Sequence, residues 1–485
     1  MGSLWSEGVR RSQREALEHD VSVDVAVLGA GIVGLTTALL LERQGARVAV
    51  LERRHVAAGA SGYNTAKLSS LHGLSYRKLV RSLGAELARA YGDANESGID
   101  RVYELAGELA IECDLRRKPN HTYTESEADL DQVREEAVVA VGLGLQASFV
   151  EDVDLPFAVA GAVRFEEQAE FHPVKYLQGL AAGLEGPVYE GTTATNVRGG
   201  RVQTAGGQVV SAEQVVVATH LPFLDRGLYF ARCHPERSYV VAGRITDPPA
   251  GMYLSTEKPA HSIRAHGDWL LVGGESHKTG QADAAERYAR LDTWARERFG
   301  IEPELRWATQ DQMPVDGVPY VGRHDPLSSD IWVATGFRKW GLAMGTAAAE
   351  LLTAQITGRE HAWTELFDPQ RVRPRASATS FVKENANVAL RFFGDRVVKR
   401  AEVDKIGPGE GRIVGSRLGQ RAVYRDDEGE LHELSARCTH LGCIVNWNTA
   451  ERTWDCPCHG SRFAATGEVV EGPALRPLRS ERSPG

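Results

Sequence analysis

The chain has 485 residues, 42% of them hydrophobic and 25% charged, with a formal net charge of −9. That balance excludes a mainly disordered chain and offers no basic excess for nucleic acid. At about 150 residues per domain, the length predicts about three domains.

Residues 1–22 read as a polar N-terminal tail without the apolar core of a secretory signal, and polar residues follow the Arg10-Arg11 pair. The uncharged run from Val25 to Leu41 is short for a membrane span, so a soluble, cytoplasmic protein is expected. Residues 23–28 read as a buried strand, 32–44 as a helix stopped at Gly45, and 48–51 as the next strand. This βαβ unit predicts a parallel sheet. Residues 77–115 read as mostly helical, and 151–280 as short strands with glycine-rich turns, including strands at 214–219 and 269–273. A strand at 331–334 and a helix at 342–356 follow, then a loop over 358–375 with Pro369 and Pro374. Residues 379–400 form a candidate amphipathic helix with Phe381, Val388, Phe392 and Val398 on its apolar side, and the texture changes at 401 to short strands with clustered Cys and His. A domain boundary is expected near 375–400.

Val27-Leu28-Gly29-Ala30-Gly31-Ile32-Val33-Gly34 is a G-x-G-x-x-G turn between strand and helix. Gly29 permits the tight turn, Gly31 lets the backbone approach a pyrophosphate, and Gly34 lets helix and strand pack closely. The helix N-terminus offers unpaired N–H groups and the positive end of its dipole to phosphate. Glu52, at the end of the second strand, is placed to accept hydrogen bonds from a ribose. Together these elements point to a dinucleotide site; a glycine-rich core turn alone would not need Glu52.

The motif does not separate FAD from NAD. Three further segments do: Gly59-Ala60-Ser61-Gly62-Tyr63-Asn64-Thr65-Ala66-Lys67, Asp316-Gly317-Val318-Pro319-Tyr320-Val321-Gly322 and Ala334-Thr335-Gly336-Phe337-Arg338-Lys339-Trp340-Gly341. With the glycine turn they resemble the FAD-dependent oxidoreductases of the D-amino-acid oxidase and glycine oxidase family, over roughly residues 23–370. The resemblance implies an α/β Rossmann-like FAD-binding domain with an interleaved antiparallel substrate domain covering the flavin. It implies that Gly29, Gly31, Gly34, Glu52 and Arg53 hold the ADP half of FAD. Ser61, Thr65 and Lys67 would lie along the pyrophosphate and flavin, and 336–341, from Gly336 to Gly341, would aim a helix N-terminus at the flavin pyrimidine, where donors stabilise negative charge. One departure is His220, which follows Ala218-Thr219 where many flavoproteins carry Gly. No substrate signature stands out. Arg338 and Lys339 are candidates to meet a carboxylate, as are Arg237 and Tyr239, against the plain reading of a solvated surface pair. His72 and His277 read as structural.

Near the C-terminus, Cys438-Thr439-His440 precedes Cys456-Pro457-Cys458-His459, so two loops each offer a thiolate and an imidazole. That set suits a [2Fe–2S] cluster with two Cys on one iron and two His on the other. Zinc is the rival, but the Cys and His present outnumber the four ligands of one zinc site. The stretch from 401 to about 480 resembles a Rieske domain. The resemblance implies Cys438, His440, Cys456 and His459 as ligands. It also implies a bracing disulfide between Cys443 and Cys458, the pattern of quinol-oxidising Rieske proteins. Ser461 matches a residue that donates to a cluster sulfide, and Phe463 stands where many family members carry Tyr. With neutral histidines replacing two thiolates, the oxidised cluster has no net charge, which raises its potential. Cys113 and Cys233 receive no role.

The resulting division is a tail at 1–22, an FAD-dependent oxidoreductase at 23–370, a linker helix at 371–400 and an all-β Rieske domain at 401–485. The expected function is oxidation of a small amine, amino acid or hydroxy acid by hydride transfer to flavin, with one-electron relay through the cluster to an external acceptor or donor. The alternative is a non-catalytic redox sensor or electron-transfer module. A ring-hydroxylating oxygenase is not expected, because residues 460–485 are too few for a mononuclear iron domain. Arg391, Arg396, Lys399 and Arg400 beside Phe392 and Phe393 allow a peripheral membrane contact. Glu384 and Asp395 on the same helix favour an interdomain role instead.

Overall fold

The computed structural model describes residues 2–9, 13–395, 402–415 and 419–481. Arg396, Val398, Lys399 and Arg400 of the expected linker helix lie outside the described residues.

The strand Val21–Leu28 is the hub of the first sheet. It pairs in parallel with Val48–Leu51 on one side and Val209–Val217 on the other. Val188–Tyr189 and Ile331–Thr335 extend the parallel order outward. Continuous apolar runs such as Val25 to Leu28 are buried because helices cover this sheet, as a parallel α/β layer requires. The helix Ile32–Glu42 starts directly after the glycine turn and packs on the helix Ala343–Ile356. The long helix Ala85–Glu108 crosses the same helix closely: a Cβ on Gly98 would stand 2.1 Å from the Ala343 carbonyl oxygen.

The second sheet has eight strands. Its edge is a ribbon of three long antiparallel strands, Leu305–Pro314, Cys233–Arg244 and Trp269–Lys278. Ser262–His266 and Met252–Ser255 continue it, followed by Asn120–Thr124, Gly161–Phe165 and Ala147–Val150. Every neighbouring pair is antiparallel except Met252–Ser255 with Asn120–Thr124. The C-terminal region forms a three-stranded and a four-stranded sheet, Gly411–Val414 through Leu431–Ser435 and Asn446–Asn448 through Val469–Glu471. All four clustered cysteines lie in its core with Trp454 and Phe463.

Several local expectations shift. The tail is anchored: Trp5 is fully buried, its Nε1 donates to Asn64 O at 2.7 Å, and Ser3 Oγ donates to Gly62 O. The helical stretch at 77–115 breaks at Gly84, whose φ of +87° ends one helix, and stops at Glu108 before Ala110 turns left-handed. The loop at 358–375 holds the short helix Thr364–Phe367. The linker helix begins at Pro374, since proline fits a first helical turn, and runs to Gly394. Its Val388 and Phe392 pack on the C-terminal core, while Glu384 pairs with Lys278 and Asn385 Nδ2 donates to Ala231 O at 3.0 Å. The helix therefore joins both halves, although Val382, Leu390 and Phe393 stay exposed. Among the described residues no helix is long and apolar enough to cross a membrane.

Gly98→Val should cost about 1–3 kcal/mol by overpacking, read as a lowered midpoint in urea unfolding. Gly107→Ala in the same helix, where a Cβ meets nothing within 4 Å, should leave the midpoint unchanged or raised.

Candidate functional site

The glycine turn forms the floor of a cavity of about 480 Å³. Gly29 has φ +108°, and a Cβ there would lie 2.6 Å from Ala218 O. Gly34 sits beneath the turn, where a Cβ would lie 1.9 Å from Gly29 O. Gly31 differs: a Cβ would meet only Ser61 Oγ and Cβ, because its other side faces the cavity. Glu52 holds the cradle, with Oε2 accepting from Ala30 N at 3.0 Å and Oε1 from Arg54 N at 2.8 Å. Ser61 Oγ accepts from Ile32 N at the helix start. A backbone-lined cradle that side chains would fill, at a helix N-terminus, fits a dinucleotide.

Arg53, Thr65, Lys67 and Gly341 also line the cavity. Lys67 is buried and donates to Tyr253 O; burial, with the field of Arg264, pushes its pKa well below the usual lysine value. Gly336 lies outside the lining, with φ +82° and Pro314 packed behind it. Of the substrate candidates, Lys339 lines the cavity but is paired with Glu236 at 3.2 Å and Ser276 Oγ at 2.7 Å. Tyr239 lines it too, with its hydroxyl held by His277 Nε2 at 2.8 Å. Arg338 donates to Gly317 O outside the lining. Arg237 is buried and turned away, its Nη2 at 2.5 Å from Glu451 Oε1; as a carboxylate candidate it is corrected to an interdomain group. His72 bonds Tyr91 Oη and Ser69 O, both at 2.7 Å, and burial pushes its pKa down to about 3, as a structural histidine would have.

The edge ribbon separates this cavity from the C-terminal region. Side chains alternate across a strand, so Thr309 and Asp311 line the cavity while Gln310 points the other way, its Nε2 donating to Gly460 O at 2.9 Å. On the neighbouring strand Ser238 lines the cavity, whereas Pro235 abuts Gly460. The C-terminal region also closes the cavity itself through Glu471, Gly472, Pro473, Ala474 and Leu475. Arg53 Nη2 donates to Val470 O at 2.7 Å. His220 takes a left-handed backbone, φ +68°, which a glycine would otherwise supply, and its Nδ1 lies 3.3 Å from Glu471 Oε1. The histidine at this position thus makes a contact between the two halves. Sequence reasoning missed these wall residues except for the anomaly at His220, since strand positions carry no motif.

Cys438 and Cys456 are buried, outside the disulfide and near one another. The rings of His440 and His459 are 5.1 Å apart. His440 Nε2 faces Asp225 Oδ1 at 3.2 Å, and its buried Nδ1 has no hydrogen-bond partner. Burial and the neighbouring His440 push the His459 pKa down to about 3, keeping it neutral as a metal ligand must be. Two thiols, two imidazoles and an orphaned ring nitrogen fit a [2Fe–2S] cluster. Cys443 and Cys458 form a disulfide with a Cα–Cα distance of 6.5 Å. Its sulfurs and that of Cys456 lie within 4.8 Å of one another. Phe230 packs edge-on against both histidines, with ring centroids 5.7 and 5.3 Å away. Ser461 Oγ accepts from Ala474 N at 3.0 Å and reaches Cys438.

Comparison with known proteins agrees with both sites. Residues 24–355 match the FAD dependent oxidoreductase family, and 396–481 match the Rieske [2Fe-2S] domain. The chain is 35% identical over 98% of its length, and 97% of the relative's, to a putative Rieske 2Fe-2S iron-sulfur protein, YhfW, of Bacillus subtilis. A cytochrome b6-f complex iron-sulfur subunit of Chlorobaculum thiosulfatiphilum is 47% identical over 18% of this chain and 51% of that subunit. Among solved structures, glycine oxidase from Geobacillus kaustophilus superposes with a TM-score of 0.62 at 22% identity, covering 73% of this chain and 99% of that one. L-amino acid deaminase from Proteus vulgaris, at 18% identity, gives 0.61 over 76% and 98%. At these identities the structural likeness concerns the fold.

His220 is protonated more readily than an ordinary histidine: burial opposes the charge, but the hydrogen bond and charge of Glu471, with the field of Asp311, raise its pKa overall. A raised histidine pKa contributes stability fully below about pH 6.5 and loses it as pH rises through the folded-state value. His220→Asn keeps a residue tolerant of the left-handed backbone. It should lower stability by on the order of 1 kcal/mol at pH 6, with the deficit shrinking toward zero by about pH 9. Thermal unfolding at the two pH values checks this, and a deficit independent of pH would contradict it.

Proposed function

The chain belongs to the family of FAD-dependent oxidoreductases and carries a Rieske [2Fe-2S] domain, and from that premise we propose that it oxidises a small amine, amino acid or hydroxy acid and passes the electrons singly to an outside acceptor. FAD supplies two-electron hydride acceptance and the [2Fe–2S] cluster one-electron transfer. Gly29, Gly31, Glu52, Arg53 and Ser61 would hold the ADP and pyrophosphate. Thr65, Lys67 and Gly341 would border the flavin. Cys438, His440, Cys456 and His459 would hold the cluster, with the Cys443–Cys458 disulfide fixing their loops.

One observation carries this reading. Residues 471–475 form part of the cavity wall, and within the same segment Ala474 N donates to Ser461 Oγ, which reaches the cysteine proposed as a cluster ligand. A single hydrogen-bonded segment therefore links the cavity wall to the loop proposed to hold the cluster. The same cavity extends past the nucleotide cradle to Ser238, Thr309 and Asp311.

Anaerobic addition of amines, amino acids and 2-hydroxy acids to the holoprotein tests the proposal. At least one class should bleach the flavin absorbance, followed by appearance of the reduced cluster signal in electron paramagnetic resonance. Flavin that no member of the three classes bleaches would favour the sensor reading. Gly31→Val should lose flavin by at least tenfold in occupancy, since its side chain enters the pyrophosphate path, while the iron–sulfur absorption remains. Cys456→Ser should lose the iron–sulfur absorption instead and still bind FAD.

A further inference from the structure

Every charged side chain of the cavity wall but one has a hydrogen-bond or ion-pair partner. Glu52 accepts two backbone N–H groups. Arg53 and Arg54 donate to Val470 O and Ala58 O, and Lys67 to Tyr253 O. His220 and Glu471 face each other, and Lys339 is held by Glu236 and Ser276. Asp311 lines the same cavity, yet among the described residues its carboxylate makes no hydrogen bond and no ion pair.

Its register sharpens the point. Asp311 lies directly across from Glu236 on the neighbouring antiparallel strand, so both carboxylates project from one face of the ribbon. Like charges in directly opposed positions repel. One ammonium, Lys339, serves the pair and lies against Glu236, which is held to a pKa of about 2, with hydrogen bonding to His234 and the Lys339 charge outweighing burial. Asp311 moves the other way: burial first, then the fields of Glu236 and Glu471, raise its pKa despite His220 and Lys339. The face thus carries one more negative charge than it has partners, and the surplus opens into the cavity.

The geometry points to Asp311 as the residue that selects the substrate, receiving a cationic amine and rejecting a carboxylate. The cation beside Asp311, Lys339, is already held by Glu236 and Ser276, whereas a substrate ammonium beside Asp311 would complete the two-acid, one-lysine set. The substrate class narrows accordingly, from amines, amino acids and hydroxy acids to amines that need no carboxylate next to the nitrogen. This rests on reading the chain as a flavin oxidoreductase with its substrate in this cavity.

The test uses the FAD-loaded, cluster-containing protein and inert probes read by perturbation of the flavin absorption spectrum. Benzyltrimethylammonium is matched against benzoate, and tetramethylammonium against acetate, so that size does not decide. At least one cation should perturb the flavin saturably, with its matched anion binding about tenfold or more weakly. Asp311→Asn should weaken the cation about tenfold or more and leave FAD content and the cluster's resonance signal unchanged. Asp311→Glu, which restores the charge, should recover the cation preference; this separates lost charge from a disturbed fold. Tighter binding of the anions, silence from both cations, or an Asp311→Asn variant with undiminished cation affinity would overturn the assignment. Bleaching by a hydroxy acid that survives Asp311→Asn would leave the enzyme reading standing while removing this one; absence of bleaching by any substrate would remove the enzyme reading itself.

Discussion

Arg237 and Arg462 are buried among Glu451, Asp455 and Glu471, and the arrangement of the two halves depends on this group. Arg462 lies 2.9 Å from Asp455 and 3.0 Å from Glu451, while Arg237 crosses from the ribbon to Glu451. Removing such charges from water is costly, and the cost is recovered only when every partner is present. Undocking would leave Arg237 without its carboxylate and Glu451 without one of its two guanidinium groups. Undocking would therefore be costly, which holds the ribbon between the cavity and the C-terminal region.

Given that partition, strand periodicity does the rest. A strand turns successive side chains to opposite faces, so Asp311 faces the cavity and Gln310 the C-terminal region although they are adjacent in sequence. The bulge between Arg237 and Tyr239 shifts the register locally, and both sides of it remain buried. The linker helix reinforces the docking by setting Val388 and Phe392 on the C-terminal core while Asn385 holds the Ala231 carbonyl.

The parts that were legible in the sequence are those whose chemistry is local. Gly29, Gly31 and Gly34 announce a nucleotide turn because backbone conformation and close approach demand glycine there. The paired Cys and His stand out because they crowd into two short stretches of chain. The cavity wall was not legible: Ser238, Thr309 and Asp311 meet through sheet register, and their positions look like any strand residues. Arg237 was misread for the same reason. An arginine suited to a carboxylate is evident from sequence, but whether the carboxylate belongs to a substrate or to Glu451, far along the chain, is decided by tertiary structure. His220 lay between these cases, visible as a departure from glycine and explained only by Glu471. The tail looked polar on average, and its one buried anchor, Trp5, was hidden by its neighbours.

Phe230 and Asp225 cover the histidine edge of the C-terminal site, His440 and His459. With that edge turned inward, any exchange between FAD and the cluster would be an event within one molecule, set by a fixed local concentration and independent of how dilute the protein is. Traffic with any outside partner would then use another approach; Leu228 and Leu441 stay exposed. The chain would therefore behave as a buffered wire, with first-order filling from inside and a separate, concentration-dependent discharge at its rim.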